Sequence, residues 1–94
     1  MHASVRTYDH IADHDRTLAV VQEGLAPVIR ATPGFISYQL INVGPTQVAS
    51  VTVTESEEAM RAVDAAAAEF LVAYDRVDVG ERVDIREGAV VFSM

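Results

Sequence analysis

Residues 35–54 read FISYQLINV (35–43), GPT (44–46) and QVASVTVT (47–54). Two runs rich in β-branched and aromatic side chains, separated by a short Gly-Pro turn, predict two strands joined as an antiparallel hairpin. Turn and cap signals bound the pair. Thr32-Pro33-Gly34 precedes the first strand, and Ser56, followed by Glu57 and Glu58, starts a helix after the second. Ser56 suits the N-cap, and the two acids suit the positive end of the helix.

Working outward, Met60, Val63, Ala67, Phe70, Leu71 and Tyr74 line one side of a helix predicted over 56–74. Ala65–Ala68 is a strong helix former whose small side chains permit close approach to a sheet. Upstream of the hairpin, Leu18, Val21, Leu25 and Val28 recur at spacings of three and four, the apolar stripe of a helix over 16–31. Gly24 and Pro27 weaken that helix, and Pro27 is expected to bend its last turn. Asp13 or Asp15 serves as its N-cap. Residues 3–8 alternate loosely and form the first strand. Residues 75–87 read as a polar connection with a short extended piece at 83–85, and Gly88–Met94 (GAVVFSM) as the last strand.

The order is βαββαβ, a ferredoxin-like α+β arrangement with an antiparallel sheet and two helices on one face. At 94 residues the chain makes one domain, 1–94. Seven arginines, no lysine and 14 acids give a net charge of −7, with the arginines dispersed among the acids. A phosphate backbone or an anionic membrane needs a cationic face, so neither nucleic acid nor a membrane is an expected partner. The chain has no cysteine, hence no disulfide, thiolate nucleophile or Cys-based metal site. With no signal-peptide pattern and no apolar run long enough to span a bilayer, a cytoplasmic location is expected.

Half of the residues are hydrophobic, a surplus for so small a chain. In 35–43 both parities are substantially apolar: Phe35, Ile41 and Val43 on one, Ile36, Tyr38 and Leu40 on the other. The segment 88–94 behaves alike, with Val90 and Phe92 opposite Ala89 and Val91. Strands buried on both faces read this way. A homodimer that packs sheet against sheet is the expected cover.

Pro33-Gly34-Phe35 with Tyr38, then Val48–Val53, Ser56-Glu57-Glu58-Ala59 and Gly88–Phe92 together resemble the antibiotic biosynthesis monooxygenase family over essentially the whole chain. The resemblance implies a dimeric α+β barrel with a pocket in each subunit between helices and sheet. Some members oxidise aromatic polyketide or quinol-type substrates with O₂ and no cofactor, and others degrade haem. This chain departs from those members in having no Trp and no His within 56–74. The haem-ligand position is therefore missing, no catalytic residue carries over, and no cofactor is expected.

Tyr8, Tyr38, Phe70 and Tyr74 are the candidate pocket walls, because a phenol can orient an aromatic ligand and pass a proton. The competing role for each is core or interface filler. Asn42 could donate to an enolate or peroxide anion, although an Asn beside Gly44 suits a turn. His10, Asp13 and His14 have the chemistry of a Zn or Fe(II) ligand set, but they precede the helix, where capping and surface roles prevail, and no metal is assigned. The functional expectation is a homodimer that binds a small hydrophobic or aromatic molecule, with cofactor-independent oxygenation as the chemistry the resemblance implies. The alternative is a non-catalytic binding or assembly module on the same fold.

Overall fold

A computed structural model describes the backbone of residues 1–94 and every side chain except those of Arg76 and Val77. The elements run β1 (His2–Asp9), α1 (His14–Val20), a π-helical segment (Val21–Leu25), α2 (Ala26–Arg30), β2 (Phe35–Gly44), β3 (Gln47–Thr54), α3 (Glu57–Leu71), α4 (Arg76–Val79) and β4 (Glu81–Ala89). The strands form one antiparallel sheet in the order β2-β3-β1-β4. The first helix, α1 to α2, and α3 cover one face of it, the ferredoxin-like α+β arrangement.

Local signals set the helix starts. Asp13 accepts from the amides of Asp15 and Arg16, and Ser56 from that of Ala59. Gly34, in the turn that leads into β2, adopts φ +87°, a left-handed conformation that only glycine takes at little cost. The π segment arises from Pro27. A proline there has no N–H for the carbonyl four residues back and would clash with it. The ladder widens by one residue, and the Ala26 amide bonds to the carbonyl of Val21.

That insertion changes which side chains face inward. The buried positions of the first helix are Thr17, Val21, Leu25 and Ile29, at uniform spacing four, while Leu18 is 41% exposed. The sequence stripe through Leu18 and Val28 assumed an uninterrupted 3.6-residue period. The wider turn shifts the buried register. Val21, Leu25 and Ile29 cluster with Val63 of α3, and Phe35, Tyr38, Leu40, Phe70 and Leu71 pack around them.

The last strand differs from its expected place. β4 is the polar segment Glu81–Ala89, and 90–94 is not a strand, although the Val90 amide bonds to the Met1 carbonyl. Val91 and Phe92 are exposed, at 96% and 76%. Only registry with β1 could reveal this strand, because an edge strand with nearly every residue exposed carries no hydrophobic pattern. The two-faced burial inferred for 88–94 therefore does not apply within one chain. The 75–87 connection also contains α4, which Thr17 holds by donating its hydroxyl to the Asp78 carbonyl (2.9 Å) and Arg16 by an ion pair with the Asp78 carboxylate (2.7 Å).

Candidate functional site

Successive side chains of a strand point to opposite faces. On β3, Val48, Ser50, Thr52 and Thr54 point toward the helices and are buried, while Ala49, Val51 and Val53 point away. On β1 the inward set is Ser4, Arg6 and Tyr8. The usual pattern is thus inverted at the centre of the sheet. Polar residues line the face covered by helices, and valines line the face turned away from them.

The inner polar face bounds a cavity of ≈ 500 Å³ between the sheet and α3. Arg6 and Tyr8 of β1, Ser50 and Thr52 of β3 and Tyr38 of β2 form its floor. Val63, Asp64, Ala67, Ala68 and Leu71 of α3 form its roof, with Leu25 and Ile29 from the first helix. The space exists because Ala67 and Ala68 fall over this region, where longer side chains would fill it. A smaller apolar hollow of ≈ 50 Å³ adjoins it, sharing Tyr8, Leu25, Tyr38 and Leu71 and extending to Val21, Leu40 and Val79.

Arg6 crosses the cavity wall. Its guanidinium pairs with Asp64 of α3, and its Nε donates to Ser4 Oγ at 3.1 Å. The Arg6 side chain is largely buried, so the pair ties β1 to α3 in a partly desolvated setting where a charge without its partner would be costly. Burial pushes the Tyr38 phenol up to about 12, with the neighbouring Tyr8 adding to the shift, against a Ser50 hydrogen bond and Arg6 that favour ionisation. Tyr38 is therefore a neutral donor at physiological pH and unsuited to act as a base. On β4, pairing with β1 slips between Thr7 and Tyr8, so that Asp84 faces Thr7 but Arg82 faces Tyr8, leaving Val83 as an extra residue. This bulge turns Arg82 onto the cavity side, where it stands at the rim with Ile85.

The four aromatic candidates separate into two pairs. Tyr8 and Tyr38 line the cavity. Phe70 packs on the core cluster, its ring so close to Gly24 that a β-carbon there would lie 2.2 Å from it. Tyr74 stacks on Phe70 with centroids 5.3 Å apart and borders an outer cleft with Arg16 and Gly24. Asn42 is exposed near the hairpin turn, away from the cavity. Arg6, Asp64 and Arg82, absent from the sequence candidates, supply the charge of the site. The inward parity of Arg6 with Ser4 and Tyr8 was the available signal.

The acidic and histidine-rich stretch serves the fold. Asp13 is the α1 cap, and His14 Nε2 lies 3.2 Å from the Gln47 carbonyl oxygen. Asp9 accepts from the His10 amide, Thr46 and Gln47, contacts that hold its carboxyl below the usual range, led by the His10 amide. Glu81 and Glu87 lie 3.9 Å from His10 and 3.8 Å from His2. Among the described residues no group of three His, Asp or Glu side chains is placed to hold a metal ion.

No protein-family model matches the chain, and no curated protein matches it. Solved structures do. The cofactor-independent oxygenase SnoaB from Streptomyces nogalater, solved as a mutant, matches with a TM-score of 0.77 at 12% identity, over 99% of this chain and 95% of that one. An antibiotic biosynthesis monooxygenase-type protein from Chloroflexus aurantiacus matches with a TM-score of 0.74 at 15% identity, over 99% and 95%. A mutant of MhuD, solved with two manganese protoporphyrin IX molecules per active site, matches with a TM-score of 0.73 at 24% identity, over 100% and 98%. The chain has the fold of the antibiotic biosynthesis monooxygenase-type proteins.

Proposed function

We propose that this chain is a homodimeric protein that binds a small aromatic molecule in the cavity between α3 and the sheet and oxidises it with O₂ without metal or flavin. The inverted sheet carries the proposal. Ser4, Arg6, Ser50 and Thr52 set polar groups on the helix-covered face, held in place by contacts such as Arg6 with Ser4 and Asp64, and a few fixed polar groups among apolar walls are what orients a small ligand in a cavity. Tyr8 and Tyr38 offer flat walls and hydroxyls to an aromatic ring. The uncovered face has Ala3, Val5, Ala49, Val51 and Val53 at its centre, with Gln39 and Arg86 at the edges of the row through Val51 and Val5. A second copy of that face is the self-complementary cover.

In the oxygenase reading, Asp64, the only carboxylate lining the cavity among the described residues, takes a proton from an acidic C–H of the ligand. Exclusion of water by the bound ligand leaves the resulting carbanion reactive toward O₂. A CH₂ group and O₂ become a C=O group and water, so the oxidation needs no other reductant. The similarity to a cofactor-independent oxygenase supports this reading at the level of the fold. The engagement of Asp64 by Arg6 favours the second reading, a binding module without turnover.

Oxygen uptake with a panel of anthrones and quinols, run beside equilibrium binding of the same compounds, tests the proposal. Uptake that Asp64→Asn abolishes while binding persists is the expected outcome. Binding without uptake above buffer establishes the module reading, and absence of binding removes both.

A further inference from the structure

Arg82 is placed with unusual care for an exposed edge residue. Strict alternation along β4 would send Ile85 inward and Arg82 outward. The extra residue at Val83 leaves Ile85 inward and turns Arg82 inward as well, opposite Tyr8, at the rim of the cavity. Bulges of this kind re-aim side chains beside sites. Arg82 also differs from its neighbours in charge balance. Arg6, Arg16, Arg61 and Arg86 each pair with a carboxylate, whereas among the described residues Arg30 and Arg82 have no ion pair or side-chain hydrogen bond, and of these two only Arg82 lines the cavity. In a chain of net charge −7, a cation left without an acid beside a ligand-sized cavity calls for an anion from outside.

The cavity is polarised to match. Its charged groups, Arg6, Asp64 and Arg82, sum to one positive charge. Its apolar end runs past Tyr8 and Tyr38 into the smaller hollow walled by Val21, Leu40 and Val79. From this geometry we infer that the ligand is an aromatic carboxylate, its ring between the tyrosines and the apolar hollow and its carboxylate on the Arg82 guanidinium at the rim. The fork of an Arg side chain matches the two oxygens of a carboxylate, and Asp64, already engaged by Arg6, repels the same group from the far wall. Arg82 is thus a specificity residue for charged over neutral ligands. The inference rests on the cavity being the ligand site, as proposed above.

The test compares naphthoate with naphthamide, which share shape but not charge, by calorimetry on the intact protein. Naphthoate is expected to bind roughly tenfold tighter, the scale of one charge-assisted contact. Arg82→Gln is expected to bring naphthoate down to the level of the amide, and Arg82→Lys to keep part of the preference. Arg61→Gln changes net charge equally from an exposed site on α3 and is expected to leave the preference in place. Circular dichroism verifies that each variant is folded. Equal binding of the two probes to the unaltered protein, or a preference that survives in folded Arg82→Gln, overturns the inference and leaves the cavity reading standing. Failure of both probes to bind removes the cavity reading and the inference with it.

Discussion

Tyr38 shows what burial does to one side chain. Its phenol titrates near 12 in the folded chain against about 10 when unfolded. The folded state therefore holds the proton more tightly, and the resulting stabilisation is complete below pH 10. It is lost as pH rises from 10 to 12, in total roughly 2–3 kcal/mol. In an absorbance titration at alkaline pH, one phenol is expected to ionise near 12, and Tyr38→Phe to remove that step and flatten the fall in stability between pH 10 and 12. A Tyr38 that ionises near 10 in the folded protein contradicts the burial argument. At this scale the sequence was only partly informative. Aromatic character nominated Tyr8 and Tyr38, but nominated Phe70 and Tyr74 by the same token, and only packing on Gly24 separates the pairs. Arg82 had no signal, because its orientation depends on a register slip between strands brought together from opposite ends of the chain.

Elements were legible where their cause is local. Ser56 and Asp13 are the caps their residue types announce, since a short oxygen-bearing side chain reaches amides two or three residues ahead. Ser56→Ala is expected to cost about 1 kcal/mol in urea denaturation, and Ser56→Asp to retain most of the stability. An alanine variant as stable as the parent would show that α3 is held by packing alone. The β2–β3 hairpin is likewise local, and its turn and strands stand where the sequence put them. The π segment and β4 were not legible. The first follows from how Pro27 is accommodated while Thr17, Val21, Leu25 and Ile29 stay on one face. The second is defined by hydrogen bonds to β1 rather than by any apolar pattern of its own.

At the scale of the whole molecule, the proposed dimer is tested on the valine face. Val5 is 44% exposed and Ile41 45% in the single chain, close to Val51 and Val53 in the ladder. Light scattering is expected to report twice the 10.2 kDa of one chain. Val51→Glu places like charges across a two-fold contact and is expected to give a folded monomer. A dimer that persists in this variant locates the interface elsewhere, and the C-terminal Val91 and Phe92, exposed in the single chain, are the alternative surface. Local patterning set the order of elements through α3, the caps and the hairpin. These depend on neighbours in sequence, where spacing and residue type suffice. Which face of the sheet is polar, where the cavity opens and which arginine stands at its rim were decided only when distant segments met. They are properties of register between strands far apart in the chain, and no local pattern encodes register.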